Sequence, residues 1–163
     1  TTNLAIALSD SGARVVVVPG TDPATLQVGS GALRTPCTRI VGMAVRSSTE
    51  VAVLCQDATL HLTFDGARTW QVVAAAAPVV GVTGSDRGYA IALAAPAGGP
   101  CAGLRTATVR MPDGKVVPGG CAAGAVDPVA TTLASSGGRL WLWSGDALLV
   151  SADRGTTWAT PAA

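Results

Sequence analysis

The sequence carries little charge and almost none of the residues that favour exposed helices. Only 13% of its 163 residues are charged, and Glu50 and Lys115 are the sole glutamate and lysine. Surface helices of soluble proteins are usually rich in these two residues. The composition therefore disfavours an all-helical fold.

The sequence also lacks a basic cluster and a long apolar run. Its formal net charge is +1, and its arginines are not interleaved with aromatic residues. Nucleic acid and anionic membrane surfaces are therefore poor candidates as partners. The longest strongly apolar run, residues 72–82, contains Pro78 and is too short to cross a bilayer as a helix, so we predict no membrane insertion.

Few residues are suited to metal binding or to catalysis. His61 is the only histidine, and it alternates with apolar residues in a predicted strand, so we expect it to face solvent. Because the four cysteines form no Cys-x-x-Cys pair, we predict no metal site and no cofactor. The sequence contains no Gly-x-Ser-x-Gly elbow and no phosphate-binding glycine loop.

Short apolar segments recur along the chain and are separated by turn residues. They begin at residues 4, 51, 89 and 140, which is the spacing expected of four-stranded propeller blades. We therefore predict an all-β fold, a β-propeller of about four antiparallel four-stranded blades, forming a single domain over residues 1–163. The predicted blades span roughly residues 1–35, 36–77, 78–124 and 125–163.

The first predicted blade is incomplete. It has strands at residues 3–8, 14–18 and 25–28 but none before residue 3. A propeller closes by joining its last blade to its first. The missing strand would come from the C-terminus, from another chain, or from a larger propeller of which this chain is a part. We therefore expect either a monomer or an oligomer that forms because another chain completes the propeller.

The four cysteines allow three disulfide pairings, and four free thiols are the alternative. The predicted hairpins bring Cys37 to Cys55 and Cys101 to Cys121, so they favour these two bonds. Disulfides form and persist in oxidising compartments. Oxidised cysteines would indicate an extracellular, periplasmic or cell-surface location.

Two eight-residue segments carry the same polar pattern. Residues 151–158 read Ser-Ala-Asp-Arg-Gly-Thr-Thr-Trp, and residues 63–70 read Thr-Phe-Asp-Gly-Ala-Arg-Thr-Trp. The first matches Ser/Thr-x-Asp-x-Gly-x-Thr/Ser-Trp at every defined position, and the second has Ala67 in place of glycine. The chain thus resembles the Asp-box, or bacterial neuraminidase repeat, propellers, which include sialidases and sortilin-type receptors.

The resemblance implies a structural role for these residues, in the turn between the third and fourth strands of a blade. The polar side chains would accept hydrogen bonds from turn amides, and the tryptophan would pack into the sheet. Because alanine tolerates positive φ poorly, we expect the turn at Ala67 to be distorted or shifted onto Gly66. The residues concerned are Thr63, Asp65, Thr69, Trp70, Ser151, Asp153, Gly155, Thr157 and Trp158.

The same resemblance makes a sialidase-like glycoside hydrolase an alternative function. Sialidases use an arginine clamp, a Tyr–Glu pair and an Arg-Ile-Pro motif, for which this sequence offers only Arg34, Tyr89 and Glu50. Tyr89 and Glu50 lie in different predicted blades, and a retaining glycosidase needs two carboxyl groups about 5 Å apart. We therefore predict no catalytic residue and favour a protein that is not an enzyme.

Two tryptophans lie on a single predicted strand. Trp141 and Trp143 are two residues apart and so share a sheet face, where they either pack between blades or form a platform for a ligand. Arg34 and Tyr89 are the other binding candidates. We predict an extracytoplasmic binding domain for a protein or glycan. Its alternatives are the sialidase-like hydrolase and an oligomeric scaffold that closes through a shared blade.

Overall fold

The structure is a computed structural model. It describes residues 5–8, 14–18, 25–28, 31–34, 36–37, 39–47, 49–95, 101, 103–111, 113–122 and 131–161. Over residues 5–34 and at Ala95 it describes the backbone alone. Within these ranges every regular element is a β-strand, and no helix is long and apolar enough to span a membrane.

The part of the chain that the structure describes has fifteen strands, which form four sheets in chain order. The first sheet contains β1 (Ala5–Leu8), β2 (Arg14–Val18), β3 (Thr25–Val28) and β4 (Gly31–Arg34). The second contains β5 (Ile40–Val45), β6 (Val51–Cys55), β7 (Leu60–Thr63) and β8 (Gln71–Val72). The third contains β9 (Val79–Ser85), β10 (Gly88–Ala95), β11 (Gly103–Arg110) and β12 (Lys115–Ala122), and the fourth contains β13 (Thr131–Ser136), β14 (Arg139–Ser144) and β15 (Ala147–Ser151).

Each sheet is an antiparallel meander in which every strand pairs with the strand before it in the chain. Three of the four sheets have four strands, which is the construction of a propeller blade. The predicted all-β fold of about four antiparallel blades is therefore confirmed. The single domain over residues 1–163 stays a prediction.

Among the described residues the incomplete sheet is the fourth, whereas the repeat predicts an incomplete first blade. Residues Gly31–Arg34 form a short strand, β4, in a segment that looked like an inter-blade loop. In the fourth sheet, by contrast, the fourth strand is reduced to one bridge between Val150 and Ala159. The next hydrogen-bonded position falls on Pro161, which has no N–H to donate, so the strand ends there.

The chain divides into two compact units, Thr1–Val73 and Ala74–Ala163, and each contains two sheets. In the first unit β1 lies alongside β5. In the second sheet, the apolar strand β6 is buried along its whole length. One buried cluster comprises Val45, Val51, Val53, Cys55 and Ala67, with Cys37, Ile40, Met43 and Trp70 packed against it.

In the second unit β9 lies alongside β13, and the third and fourth sheets share one apolar cluster. Polar contacts join the same two sheets. Ser135 donates a hydrogen bond to the Gly84 carbonyl, and Arg154 forms a bidentate ion pair with Asp86. The buried members of the cluster are Ala92, Leu104 and Ala122 from the third sheet and Leu133, Leu142 and Leu149 from the fourth.

Both predicted disulfides are present. Cys37 is bonded to Cys55 with their Cα atoms 6.2 Å apart, and Cys101 is bonded to Cys121 at 5.2 Å. Each bond joins the end of one strand to the segment that leads into the neighbouring strand, because the two open ends of an antiparallel hairpin lie side by side. Two such bonds indicate folding in an oxidising environment.

Candidate functional site

The turn over residues 63–70 is organised by the carboxylate of Asp65. Its Oδ1 accepts hydrogen bonds from the Thr63 hydroxyl at 2.9 Å and from the backbone N–H of Thr69 at 3.0 Å. Its Oδ2 accepts the Thr69 hydroxyl at 2.6 Å. The buried Thr63 oxygen in turn accepts the N–H of Ala67 at 2.8 Å. The turn is therefore held by side chains that lie within it.

The turn over residues 151–158 repeats this network. Ser151 donates to Asp153 at 2.7 Å and accepts the N–H of Gly155 at 2.8 Å. The Thr157 N–H and hydroxyl donate to the two carboxylate oxygens of Asp153 at 2.8 and 2.6 Å. The same four hydrogen bonds thus occur in both units, at equivalent positions of their turns.

Ala67 does not shift the first turn, contrary to the expectation from the sequence. It adopts φ 72° itself, where the equivalent Gly155 has φ 89°. The left-handed conformation is unfavourable for alanine by about 1–2 kcal/mol. The buried Ala67 methyl group packs with Val45 and Val51, and its N–H is bonded to Thr63, which together offset this cost.

Hydrogen bonding lowers the pKa of both turn carboxyl groups. The Thr69 hydroxyl is the largest cause at Asp65, and the Thr157 hydroxyl is the largest cause at Asp153. The pKa of each falls to about 2. Both carboxyl groups therefore stay ionised at pH values below the ordinary pKa of aspartate. Neither carries a proton near neutral pH, so neither can serve as a general acid there.

We expect the folded state to lose stability as the pH falls from about 4 to about 2. The pKa values of Asp65 and Asp153 are lower in the folded chain than in the unfolded one, so the unfolded state takes up more protons in this window. Their stabilisation is complete above the window and lost below it. Urea unfolding at several pH values measures the effect.

The double variant Asp65→Asn/Asp153→Asn is the control for this pH dependence. The pKa values of Asp57, Asp86 and Asp113 are also lowered, so they contribute in the same direction and remain in the variant. The variant should therefore keep part of the acid sensitivity but show a shallower slope. An identical slope in the two proteins would contradict the assignment to these turns.

Thr106 connects the 151–158 turn to the third sheet. Its hydroxyl accepts the indole N–H of Trp158 at 3.1 Å and faces the carbonyls of Gly155 at 2.9 Å and Gly120 at 3.1 Å. Gly120 also donates its N–H to Gly155, and a Cβ at Gly120 would collide with the Thr156 carbonyl. No sequence motif marked Thr106, because its partners lie far along the chain.

The only histidine belongs to a short polar chain at the start of β7. The Thr59 hydroxyl donates to Asp57 at 2.6 Å, and Nε2 of His61 lies 3.0 Å from the same hydroxyl oxygen. Since Thr59 gives its single proton to Asp57, His61 must donate to Thr59. To act as a base, the imidazole would have to accept a hydrogen bond from the hydroxyl instead of donating one. His61 is half-buried and not fully exposed as predicted, and this burial lowers its pKa.

Of the other two binding candidates, Tyr89 and Arg34, only Tyr89 has a side chain that the structure describes. Tyr89 is fully buried in β10, so its selection as a binding residue is corrected: a side chain that is excluded from solvent cannot contact a ligand at the surface. Arg34 ends β4, where the structure describes only the backbone. Glu50 forms an ion pair with Arg46 at 2.9 Å.

The two remaining candidates, Trp141 and Trp143, share one face of the fourth sheet. Trp143 is 41% exposed, and Trp141 is half-buried. The strand register places three further apolar residues and one threonine beside them on the same face, with Ser136 and Arg139 at one end of it. We call this surface the tryptophan face; it comprises Thr132, Ala134, Trp141, Trp143, Leu148 and Val150.

The tryptophan face is the side of the fourth sheet that is turned away from the third sheet. The opposite side, with Leu133, Leu142 and Leu149, is buried against the third sheet. Sequence alternation predicted that the two tryptophans point the same way, but it did not reveal Leu148 and Val150 as their neighbours. Their contribution depends on the register between β14 and β15.

Among the described residues, no three His, Cys, Asp or Glu side chains lie close enough together to hold a metal ion.

No protein-family model matches the sequence, and no curated protein matches it either. A solved structure described as "YCF48 bound to D1 peptide" is similar to this chain with a TM-score of 0.42 and 13% sequence identity. The match covers 95% of this chain, and the chain spans 64% of that structure's chain.

Proposed function

We propose that this chain is an extracytoplasmic binding domain built from Asp-box propeller blades, and that its partner, a protein or glycan, docks on the tryptophan face. The observation that carries the proposal is the exposure of Trp143 beside Trp141 and Leu148 on one face of the fourth sheet. Exposed aromatic side chains surrounded by apolar neighbours commonly mark interaction sites.

The turn geometry supports the Asp-box part of the proposal. Both turns follow a third strand, β7 or β15, and lead into the fourth position of their sheet. In each turn an aspartate binds the threonine four residues later, and a buried Ser or Thr binds an amide. Trp70 and Trp158 then pack into the apolar clusters. These residues hold the blades together and leave ligand binding to other surfaces.

The two disulfides support placement outside the cytoplasm. Disulfides persist in secreted, periplasmic and cell-surface proteins and are rare where thiols are kept reduced. Each unit contains one of them, on the segment before β5 and on the segment before β11. A binding domain in these locations meets glycans and the surfaces of other proteins.

A binding screen with a matched pair of variants tests the proposed function. Trp143 and Val117 are similarly exposed, at 41% and 43%, and both lie on strands of the second unit. Ligands from a glycan array or a phage-displayed peptide library should bind Trp143→Ala at least about tenfold more weakly than the wild-type chain. Val117→Ala should bind them normally. Ligands that bind all three proteins equally would place the site elsewhere.

A further inference from the structure

The two disulfides differ in how far solvent reaches them. Cys121 is exposed near the end of β12, although its partner Cys101 is only 6% exposed. In the other bond Cys55 is 1% exposed, and Cys37 is half-buried against the apolar cluster of the second sheet. A thiolate breaks a disulfide by attacking one of its sulfur atoms, so access influences which bond exchanges first. Access therefore favours the Cys101–Cys121 bond.

A cation lies beside the accessible bond. The register pairs Arg105 of β11 with Cys121 of β12, so the two side chains leave the sheet on the same face with their Cβ atoms about 4.5–5.5 Å apart. Nε of Arg105 is buried and has no hydrogen-bond partner among the described residues, and none of their ion pairs includes this arginine. A neighbouring guanidinium stabilises a thiolate. Arg105 therefore favours opening of this disulfide.

The surroundings of the other bond are less favourable to a thiolate. Sγ of Cys37 lies 3.4 Å from the carbonyl oxygen of Arg39, which is the negative end of a dipole. The Arg39 guanidinium donates a hydrogen bond to the Gln56 side chain at 3.4 Å. Cys55 packs in the apolar cluster with Val51. Because apolar surroundings disfavour the charged form of a thiol, the Cys37–Cys55 bond should resist exchange.

The accessible bond secures a weakly paired part of the third sheet. In the described part of the chain, β12 is an edge strand of this sheet. Its ladder with β11 is interrupted where Gly119 and Gly120 stand opposite the single residue Thr106. Beyond this irregularity the described ladder continues with two pairs, formed by Cys121 and Ala122. The disulfide is therefore a main restraint on this end of β12.

The same part of β12 supports the 151–158 turn. Gly120 donates its N–H to the Gly155 carbonyl at 2.8 Å, and the Thr106 hydroxyl binds this carbonyl at 2.9 Å. Thr106 also accepts the indole N–H of Trp158. Since Gly120 precedes Cys121 in the chain, opening of the disulfide loosens the residue that contacts the turn. The bond and the turn are thereby coupled within one compact unit.

We propose that Cys121 is a site of thiol–disulfide exchange and that the Cys101–Cys121 bond is a redox switch for the docking of the 151–158 turn on the third sheet. This inference goes beyond the proposed function, because it does not involve the tryptophan face. The co-reactant is a small thiol or a dithiol reductant. The Cys37–Cys55 bond stays closed under the same conditions and keeps the first unit oxidised.

The exchange proceeds in two steps. The thiolate of the reductant attacks Sγ of Cys121, a new S–S bond forms there, and the electron pair of the old bond leaves on Sγ of Cys101. Arg105 stabilises the negative charge that develops at the bond. A second thiolate then attacks the mixed disulfide and releases Cys121. The reductant is oxidised to a disulfide, and the two cysteines together gain two electrons.

Partial reduction of the folded chain tests the exchange site. The oxidised chain is treated with dithiothreitol for increasing times, alkylated with N-ethylmaleimide, and digested for mass spectrometry. Cys101 and Cys121 should be alkylated at least about tenfold faster than Cys37 and Cys55. With reduced glutathione, the early mixed disulfide should form on Cys121 rather than on Cys101. Equal rates at the two bonds, or faster reaction of Cys37 and Cys55, would overturn the proposal.

Variants of Arg105 test its part in the exchange. Arg105→Gln should slow reduction of the Cys101–Cys121 bond at least about threefold, whereas Arg105→Lys, which keeps the charge, should react like the wild-type chain. Arg87→Gln is the matched control, because Arg87 is exposed in the turn between β9 and β10, at the opposite end of the third sheet. Far-UV circular dichroism establishes that each variant is folded. An Arg105→Gln chain that reacts as fast as the wild type overturns the role of this arginine.

Hydrogen exchange distinguishes a switch from a bond that opens without consequence. Selective reduction should raise amide exchange at least about tenfold in residues 115–122 and 151–158, because local opening exposes their N–H groups. The equivalent turn over residues 63–70 is the internal control, since its unit keeps the Cys37–Cys55 bond. Unchanged exchange in residues 151–158 overturns the switch. An equal rise in both turns also overturns it, because it would reflect unfolding of the whole chain.

Discussion

Removing both disulfides is expected to lower the free energy of unfolding by about 6 kcal/mol, about 3 kcal/mol for each bond. The bonds span 18 and 20 residues, so each restricts the unfolded chain to a similar extent. They belong to different compact units, and distant effects are additive. Because domains are usually stable by about 5–15 kcal/mol, the chain without disulfides should be close to unfolding at room temperature.

Denaturant unfolding of four proteins tests this expectation: the oxidised chain, Cys37→Ala/Cys55→Ala, Cys101→Ala/Cys121→Ala, and the fourfold variant. The reduced wild-type chain is the control, because it loses the bonds but keeps the sulfur atoms. Cys55 is 1% exposed, so its alanine variant also loses packing, and the reduced chain separates the two effects. A reduced chain that unfolds at the midpoint of the oxidised one would show that the bonds contribute nothing.

Thr106→Val is expected to lower the free energy of unfolding by about 1–3 kcal/mol, the cost of a buried polar group left without a partner, because the Trp158 indole N–H loses its acceptor whereas the Gly155 carbonyl keeps the Gly120 N–H. Thr106 is 2% exposed, and its hydroxyl accepts a hydrogen bond from the Trp158 indole N–H and donates one to the Gly155 carbonyl. Valine has the same shape and a high β propensity, so the loss is that of the hydrogen bonds. Equilibrium unfolding in urea measures it, and near-UV circular dichroism reports on Trp158.

The matched control is Thr108→Val, two residues along on the same face of β11. Thr108 is half-buried and pairs with Ala90 and Val117 in the sheet. The same substitution there should change the free energy of unfolding by less than about 1 kcal/mol. If the two variants unfold at the same urea concentration, the hydrogen bonds of Thr106 do not support the turn.

Features whose partners lie close together in the chain could be predicted from the sequence. In both polar turns the aspartate binds residues no more than four positions away, so an eight-residue pattern contains the whole network. The disulfide pairs followed from hairpins in the same way. The repeat spacing predicted antiparallel blades because a meander sheet is made by consecutive strands.

Errors arose where identical local patterns occupy different places in a sheet. Ala5–Leu8 resembles the start of β10, but the first is an edge strand and the second is an inner strand. Pairing partners decide that difference, and they do not appear in the pattern itself. The prediction for Tyr89 fails for the same reason, because alternation does not reveal whether a face is buried.

By itself the sequence determined that the chain is all-β and where its polar turns lie, and it favoured the two disulfide pairs that the structure contains. Each of these depends on interactions within one blade. Only the tertiary structure decided that Thr106 binds residues 49 and 52 positions away, and that Trp143 is exposed while Leu142 is buried. The physical reason is that burial and long-range hydrogen bonding depend on how one sheet is layered on the next, and strand periodicity does not encode that layering.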